Sequence, residues 1–462
     1  MAKYQKYAEY KDSGVEWLGE IPSHWNLYSL KRSVDKCTNG FWGNEPDGRN
    51  DLCVLRVADF NRDNFTINED KLTLRSVLPK EAESRLLKKG DLLIEKSGGG
   101  EKTLVGCVVQ FDKDFPAITS NFVAKMTPNV ITDSKYLTYA FAHLYSGRVN
   151  FPSIKQTTGI QNLDSEAYLM EKFGFPSKNE QIQIANFLDH ETTKIDHLIE
   201  KQQQLIELLK EKRQAVISHA VTKGLDPNVP MKDSGVEWLG EVPEHWQLVP
   251  LKYLCTFSGG GTPTKDNLSY WTDGNIPWVS PKDMKTFWIS ETQDYITEKA
   301  VKESSTNTVE QNSLLMVVRS GILQRTIPIA INTVPVTMNQ DMKALKFGKR
   351  VLVEYIANLI HGNTVQLLLE WSKEGATVES IEHEYLANSL IPVPSLKEQE
   401  EITQVIAKKM KVYAELTEKA ELQITLLQER RTALISAAVT GKIDVRNWQA
   451  PTLAGAQTEL SA

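Results

Sequence analysis

Cysteine is scarce in this 462-residue chain, and its four cysteines stand far apart. Cys37, Cys53, Cys107 and Cys255 form no C-x-x-C pair, and none has a histidine nearby at metal-ligand spacing. Structural zinc sites require such clusters of ligands. The sequence therefore argues against a zinc-binding module and predicts reduced thiols that are mostly buried.

Long apolar runs and an excess of basic residues are lacking as well. No run of about 18 apolar residues would span a membrane, and the polar first residues do not resemble a signal peptide, so we expect a cytoplasmic protein. The formal net charge is −6. Basic and acidic residues number 20 and 19 between 26 and 176, 13 and 15 between 247 and 394, and 8 and 12 between 177 and 246. Because duplex binding relies on Lys and Arg, this chain, if it binds DNA, should bind it weakly alone and need basic partners.

Catalytic signatures are the third absence. The segment SGGGEKT (97–103) resembles a phosphate-binding loop, but Glu101 separates its last glycine from the Lys-Thr pair that such a loop needs. In DLLIEK, Asp91 and Glu95 would project from one face of a strand and Lys96 from the other, which is not a nuclease metal site. No glycine-rich S-adenosylmethionine loop followed by an Asn-Pro-Pro-aromatic motif occurs. We therefore predict no catalytic residue, no metal site and no cofactor in this chain.

An internal repeat is the most informative feature that is present. Residues 11–20, KDSGVEWLGE, recur letter for letter at 232–241, and 16 positions agree when both copies are extended to 21 residues. Each extended copy contains a histidine followed by tryptophan, at His24 and His245. Because no acid or nucleophile is fixed beside either histidine, we favour a packing or capping role over catalysis.

A second similarity aligns residues 176–226 with 394–444 at a constant offset of 218. Both segments begin with a proline, then contain no Gly or Pro for over forty residues and stop near a glycine. Apolar residues recur at alternating spacings of four and three, which is the pattern of a coiled-coil seam. We predict two helices, each roughly 60 Å long at about 1.5 Å per residue, packed together as an antiparallel coiled coil. The alternative is that each helix caps its own module.

The stretches between these repeated parts barely match each other. They contain short β-like runs, such as DLLIEK and SLLMVV, broken by Gly, Pro and Asn and followed by a helical piece. We predict an α+β fold in which two similar mixed α/β modules are separated by the two long helices, with internal pseudo-two-fold symmetry. The predicted order is a repeat segment (1–25), module 1 (26–175), helix 1 (176–224), a linker with the second repeat segment (225–246), module 2 (247–393), helix 2 (394–441) and a disordered tail (442–462).

Candidate DNA-contacting residues cluster around glycine-bearing turns in both modules. In contacts with base edges, Arg favours guanine, Asn or Gln favours adenine, and Thr suits the thymine methyl group. The candidates are Trp42, Asn44, Arg49, Arg56, Lys96 and Lys102 in module 1, and Thr264, Lys265, Ser280, Lys282, Arg319, Arg325 and Gln340 in module 2. Each one alone is more often an ordinary surface or turn residue, so the prediction depends on their clustering in both modules.

Candidate partner-docking residues lie in the parts that repeat. They are Trp17 and Trp238 in the repeat segments, and Leu205, Leu209, Leu427 and Leu434 on the helices. Repeated segments would offer two equivalent surfaces to one kind of partner.

Together these segments resemble the specificity subunit of type I restriction-modification enzymes over nearly the whole chain. The resemblance rests on KDSGVEWLGEIPSHW and its copy KDSGVEWLGEVPEHW, on PSKNEQIQIANFLD and PSLKEQEEITQVIA at the helix starts, on QAVISHAVTKGL and TALISAAVTGKI at the helix ends, and on IPWVSPKDMK in module 2. It implies that each module is a target-recognition domain that binds one half of a bipartite DNA site. It also implies that the helices set the spacing between the two halves.

The resemblance further implies partners. Two modification (methyltransferase) subunits would dock on the helices and repeat segments, and restriction (translocase and endonuclease) subunits would join through them. S-adenosylmethionine, ATP and magnesium would then be bound by those partners, and this chain would be a non-catalytic specificity subunit. From the residues alone, two other classes stay open. One is a coiled-coil adaptor whose modules bind protein, which the near-neutral modules favour; the other is a stand-alone DNA methyltransferase or nuclease.

Overall fold

A computed structural model describes residues 4–99, 103–157, 159–372 and 379–450. The chain divides into two compact units: unit 1 comprises Met1–Gln202 and Leu422–Ala462, and unit 2 comprises Gln203–Glu421. Each unit therefore contains one module and parts of both long helices. Among the described residues, no helix has the length and apolar character needed to cross a bilayer.

Unit 1 contains sixteen strands among its described residues. They are β1 (Tyr10–Asp12), β2 (Glu20–Pro22), β3 (Asn26–Ser29), β4 (Val34–Asn39), β5 (Asp51–Leu55), β6 (Phe60–Asn61), β7 (Thr66–Ile67), β8 (Leu74–Ser76), β9 (Leu92–Glu95), β10 (Ser97–Gly98), β11 (Val108–Gln110), β12 (Ala117–Thr119), β13 (Val123–Pro128), β14 (Ile154–Thr157), β15 (Ile160–Leu163) and β16 (Lys172–Phe175). Its helices are α1 (Pro79–Ala82), α2 (Ser134–Ser146), α3 (Ser165–Leu169) and the first part of α4 (Lys178–Lys223).

A four-stranded antiparallel sheet, in the order β11-β9-β13-β4, forms the centre of module 1. The four residues of β9 are buried, and its Leu92 and Ile94 belong to the same core as Phe141 of α2. A second sheet has the order β12-β5-β8, with β12 and β5 parallel. Strands β3 and β16 pair, so the beginning and the end of the module meet just before α4.

Unit 2 contains twelve strands among its described residues. They are β17 (Met231–Asp233), β18 (Glu241–Pro243), β19 (Gln247–Pro250), β20 (Cys255–Gly259), β21 (Ile276–Val279), β22 (Trp288–Ile289), β23 (Asp294–Ile296), β24 (Leu314–Val317), β25 (Ile329–Asn332), β26 (Thr337–Met338), β27 (Met342–Phe347) and β28 (Leu390–Val393). The helices are α5 (Glu298–Glu303), α6 (Val353–Gly362), α7 (Thr364–Trp371), α8 (His383–Asn388) and α9 (Leu396–Val439), whose last part belongs to unit 1.

The strand pairings of unit 1 recur in unit 2. Its main sheet has the order β20-β27-β24-β25-β22, and the β20-β27-β24-β25 portion is antiparallel like β4-β13-β9-β11. The second sheet, β23-β21-β26, again contains one parallel pair, β21 with β26. Strands β19 and β28 pair as β3 and β16 do. The prediction of two similar mixed α/β modules is therefore confirmed.

Each repeat segment holds the first turn of a long helix within its own unit. In unit 1, Trp25 Nε1 donates to Glu180 Oε1 at 3.0 Å, and His24 Nε2 lies 3.0 Å from Glu180 Oε2. In unit 2, Trp246 Nε1 donates to Glu398 Oε1 at 3.0 Å, and His245 Nε2 lies 3.0 Å from Glu398 Oε2. The packing role predicted for both histidines fits this geometry.

The long helices lie within the predicted ranges, and part of the predicted tail is packed. Helices α4 and α9 begin two residues after the expected starts and end one or two residues before the expected ends. We expected disorder from residue 442 onward. Instead, Ile443 and Val445 are buried, and the ring of Trp448 meets that of Phe187 edge-on at 5.5 Å. These apolar side chains contribute to the core of unit 1; residues 451–462 lie outside the described residues.

Candidate nucleic-acid interface

One edge of the central sheet of unit 1 collects polar side chains at strand ends. Strand β4 ends at Asn39, β9 is followed by Lys96, and β13 begins just after Phe122. Beyond the opposite end of β13, the chain continues into α2. The N–H of Asp133, just before α2, donates to Gln181 Oε1 of α4 at 2.8 Å. We call the edge at Asn39, Lys96 and Phe122, with its counterpart in unit 2, the far edge.

The far edge of unit 1 is polar with one exposed aromatic ring. Lys96 Nζ donates to Asn39 Oδ1 at 2.8 Å, and Ser97 Oγ donates to Asn162 Oδ1 at 2.7 Å. Phe122 is 57% exposed although phenylalanine is usually buried. Lys96 was a candidate DNA-contacting residue, and the structure brings it together with Asn39, Phe122 and Asn162, which the sequence did not indicate.

The far edge of unit 2 carries a different set of side chains. Arg319 follows β24, and its Nε donates to Asp341 Oδ1 at 2.9 Å. Gln340 is exposed and its Oε1 accepts a hydrogen bond from the Thr262 hydroxyl. The candidates Arg319 and Gln340 are therefore brought together at this edge, with Asp341 as a partner that sequence reasoning missed.

Main-chain hydrogen bonds establish which residues correspond between the two far edges. In unit 1, the N–H groups of Lys96 and Ser97 donate to the Phe122 carbonyl at 2.8 and 3.2 Å, and Leu163 N–H donates to the Lys96 carbonyl at 2.8 Å. We call this set of main-chain bonds the backbone frame.

The same backbone frame occurs in unit 2. The N–H groups of Val318 and Arg319 donate to the Asp341 carbonyl at 2.9 and 3.3 Å, and Ile381 N–H donates to the Val318 carbonyl at 2.8 Å. Arg319 therefore corresponds to Ser97, and Asp341 corresponds to Phe122. One main-chain arrangement thus presents unlike side chains in the two modules.

A turn that follows the parallel strand is also shared by the two modules, and it contains the candidates Arg56 and Ser280. Asp59 accepts from the Arg56 N–H at 2.7 Å and from its guanidinium at 2.8 Å, which raises the pKa of Arg56. Asp283 accepts from both the N–H and the hydroxyl of Ser280 at 2.8 Å. Ser280 is only 7% exposed, so its polar groups serve the turn, and contact of Ser280 with bases stays a prediction. Arg56 is half-buried in the corresponding turn.

Module 1 presents a loop after β4 that is held by arginine–aromatic contacts. The guanidinium of Arg75 lies 4.6 Å from the ring centre of Trp42, and that of Arg85 lies 5.6 Å from the ring centre of Phe41. The main chain of Asn44 pairs with Ser76 in both directions, at 2.9 and 3.1 Å. Trp42 is therefore partly covered, whereas the Asn44 side chain is exposed.

The corresponding loop of module 2 is held by tryptophan. Trp278 Nε1 donates to the Gly261 carbonyl at 3.1 Å, and Trp271 Nε1 donates to the Thr264 carbonyl at 3.3 Å. A side chain at Gly260 would collide with the main chain of Asn339, at 1.9 Å from its carbonyl oxygen. The loop is thus packed closely against the far edge, with Thr264 and the neighbouring Lys265 exposed.

The remaining DNA-contact candidates lie elsewhere. Arg49 is exposed in a turn where its N–H donates to Asp47 Oδ1 at 2.9 Å. Lys282 is exposed in the turn after β21. Arg325 lines a cavity of about 1170 Å³ in unit 2 that also contains residues of α4, α6 and α9. Lys102 lies outside the described residues.

The candidate docking residues differ in accessibility. Trp17 stacks on Phe173, with ring centres 6.2 Å apart, and Trp238 Nε1 donates to Glu370, so both are held by their own units. Leu205 is exposed on α4.

Leu209 and Leu427 are half-buried. Leu434 is 7% exposed and belongs to the core of unit 1, so it packs within its own unit, and its role in docking stays a prediction. Exposed leucines that were missed are Leu198 and Leu208 on α4, and Leu416, Leu422 and Leu426 on α9.

The residues that superficially suggested a nuclease have structural partners. Glu95 is fully buried and pairs with Arg62 at 2.8 Å, and burial raises the pKa of Glu95. Asp91 Oδ1 accepts from the Thr127 hydroxyl at 2.9 Å. Within the described ranges, no group of three or more His, Cys, Asp or Glu residues is arranged to hold a metal ion. Cys53, Cys107 and Cys255 are buried, whereas Cys37 is exposed.

Comparison with known proteins adds sequence and fold similarity. The family model described as the type I restriction modification DNA specificity domain matches residues 57–208 and 243–426. The specificity subunit of the type I restriction enzyme EcoR124I/EcoR124II from Escherichia coli is 38% identical over 207 residues, or 44% of this chain and 48% of that protein. This alignment spans about half the length of that relative.

Two solved structures share the fold at low sequence identity. One is a chain from a structure that describes complex assembly and conformational transition of the type I R-M system. Its TM-score is 0.69 at 13% sequence identity, and the match covers 91% of this chain and 98% of that chain. The other is the HsdS subunit from Thermoanaerobacter tengcongensis, with a TM-score of 0.55, 14% identity, and coverage of 92% and 98%.

Proposed function

Since this chain belongs to the family of type I restriction-modification DNA specificity subunits, we propose that each module is a target-recognition domain for one half of a bipartite DNA site. The observation that carries the proposal is the backbone frame, which recurs in both units while its side chains differ, as at Ser97 and Arg319. Sequence is recognised through side chains that contact base edges. One frame with two sets of side chains suits two unlike half-sites.

The long helices would set the spacing of the half-sites as an antiparallel pair with pseudo-two-fold symmetry. Contacts inside unit 1 support this direction: Arg431 Nε of α9 donates to Asp196 Oδ1 of α4 at 2.9 Å. A side chain at Gly441, just past the end of α9, would lie against the Trp25 ring, which itself contacts Glu180 at the start of α4. A helix pair of fixed length would make the half-site spacing a geometric property of the protein.

The partners would be two modification subunits and, through them, restriction subunits. Exposed leucines on the helices offer apolar docking positions in each unit, such as Leu208 in unit 2 and Leu422 in unit 1. The chain would act in the cytoplasm as a non-catalytic subunit. Methyl transfer from S-adenosylmethionine and ATP- and magnesium-dependent cleavage would belong to the partners.

Replacement of one module tests the assignment of recognition to the modules. Residues 26–175 are exchanged for the equivalent module of another family member, and the chain is produced with its modification subunits. Methylated bases are then located by single-molecule sequencing of cellular DNA. We expect one half of the methylated motif to change and the other half and the spacing to persist. An unchanged motif would contradict the proposal, and replacement of residues 247–393 is the matched control.

A protein-binding adaptor is the second candidate, favoured by the near-equal numbers of basic and acidic residues in each module. Electrophoretic DNA binding with and without the modification subunits separates the two functions. A specificity subunit confers sequence choice on the complex. An adaptor leaves sequence choice unchanged when its modules are altered.

A further inference from the structure

We infer that Arg319 is the guanine-recognising residue of module 2 and that Asp341 is the residue that positions it. The inference rests on the proposed function and extends it to one base and one pair of side chains. Both residues lie on the far edge: Arg319 is the second residue after β24, and Asp341 directly precedes β27.

The orientation of the Arg319 side chain leaves its terminal nitrogens available. Its Nε donates to Asp341 Oδ1 at 2.9 Å, and among the described residues no further hydrogen-bond partner of the guanidinium is found. The Arg319 side chain is 60% exposed, whereas that of Asp341 is 24% exposed. Guanine presents two acceptors, O6 and N7, which the two terminal nitrogens of an arginine bind together.

Asp341 is itself held by the main chain. Its carbonyl accepts the N–H groups of Val318 and Arg319, and its own N–H donates to Oδ1 of the buried Asn339 at 3.1 Å. The carboxylate that orients Arg319 therefore projects from a fixed backbone. Such fixation lowers the conformational entropy that the long arginine side chain would lose on binding.

The carboxylate also distinguishes a base contact from a phosphate contact. Phosphates attract any accessible cation, and a neighbouring carboxylate weakens that attraction. Arg325 and Lys265 are exposed in the same unit, and among the described residues neither forms an ion pair such as the one between Arg319 and Asp341. Arg319 is thus less suited to phosphate attraction and better suited to directional hydrogen bonding.

Module 1 has no equivalent pair. The corresponding positions are Ser97 and Phe122, and Ser97 Oγ donates to Asn162 Oδ1 instead. The inference therefore predicts an effect in only one half-site, the half recognised by module 2.

Arg319→Ala and Asp341→Ala test the inference in the full chain produced with its modification subunits. The methylated motif is determined by sequencing, and duplexes carrying that motif or a single substitution are used for binding. For Arg319→Ala we expect one guanine position of one half-site to lose its preference, with discrimination falling about tenfold or more. Asp341→Ala should relax the same position more weakly, because Arg319 stays present but is no longer oriented. Lys346→Ala, the matched control, removes a cation that pairs with Glu310 near the other end of β27, and it should leave the motif unchanged.

Three outcomes would overturn the inference. The first is an unchanged motif with Arg319→Ala. The second is weaker binding to all duplexes alike with a shallower salt dependence, which identifies a phosphate contact. The third is relaxation at different positions for the two variants, which excludes a positioning role for Asp341.

Folding and the proposed function are checked separately. The frame bonds of both residues are made by main-chain atoms, so we expect the variants to keep the thermal midpoint of the wild type. If the wild-type complex methylates DNA without a bipartite motif, the proposed function is wrong. If the wild-type complex has a bipartite motif and the variants leave it unchanged, only the inference about Arg319 and Asp341 is wrong.

Discussion

At the scale of the residue, Glu180 concentrates several interactions in one buried carboxylate. It accepts hydrogen bonds from the Tyr7 hydroxyl at 2.7 Å and from Trp25 Nε1 at 3.0 Å, and it lies 3.0 Å from His24 Nε2. Among the described residues, the Glu398 carboxylate in unit 2 has hydrogen-bond partners only in Trp246 and His245, and it is more exposed. The two repeat segments are identical in part, yet the copy in unit 1 is more completely enclosed.

Glu180→Ala should destabilise unit 1 more than Glu398→Ala destabilises unit 2. The first change leaves buried donors on Tyr7 and Trp25 without an acceptor, which costs about 1–3 kcal/mol for each such group. Urea unfolding followed by tryptophan fluorescence, with hydrogen exchange to separate the units, measures the difference. Equal losses of unfolding free energy from the two variants would show that the hydrogen bond from Tyr7 to Glu180 contributes nothing to stability.

The far edge shows which residue roles can be predicted from sequence. Base-contacting residue types in glycine-bearing turns indicated Lys96, Arg319 and Gln340, and all three lie at this edge. Their partners Asn39 and Asp341 were missed, because these contacts depend on strand pairing between distant segments: Asn39 is 57 positions from Lys96. Ser280 was selected for its polar side chain, but its hydroxyl is used by a neighbouring aspartate in the turn.

At the scale of the element, the long helices separate docking positions from core positions. Leu208 on α4 is 60% exposed, whereas Leu434 on α9 is buried in the core of unit 1. The seam deduced from alternating spacing contains the exposed Leu205 as well as the buried Leu434, and it leaves out Leu208. The two kinds should respond differently to substitution.

Leu208→Asp should weaken binding of the modification subunit by tenfold or more, roughly the loss of one well-packed apolar contact, without lowering the thermal midpoint. Leu434→Ala should instead cost about 2–5 kcal/mol of unfolding free energy. Analytical ultracentrifugation with the modification subunit and thermal unfolding of the chain alone measure the two effects. If Leu208→Asp binds as the wild type does, docking on this face of α4 is wrong.

The long helices were predictable to within two residues at each end, whereas the strands were not. An uninterrupted stretch without Gly or Pro, bounded by both, indicates a helix almost independently of its surroundings. Many strands here have only two to four residues. Such short strands are defined by their partners, as when β10 pairs two residues with β15, and no local pattern encodes that pairing.

At the scale of the whole molecule, charge limits what the chain does alone. With a net charge of −6, it has few uncompensated cations to displace counterions from DNA. We expect the isolated chain to bind DNA with micromolar or weaker affinity at physiological salt and with a shallow salt dependence. The complex with modification subunits should bind more tightly and with a steeper salt dependence. Titrations of labelled duplex at several salt concentrations measure both; nanomolar binding by the chain alone would contradict this prediction.

The division into two units could not be predicted from the sequence. The boundaries fall after Gln202 in α4 and after Glu421 in α9, in the middle of each helix. The apolar spacing continues through both points, because heptad patterns record which face is covered and not which module covers it. Only the folded contacts assign each helix half to a unit.

The backbone frame has an evolutionary consequence. Its bonds join main-chain N–H and carbonyl groups, which every residue except proline can supply. Substitutions at Ser97, Phe122, Arg319 or Asp341 can therefore alter the chemistry presented to DNA without removing the bonds that support it. Mutational drift at these positions would be nearly neutral for folding, so a lineage can acquire new targets by few steps while its architecture persists.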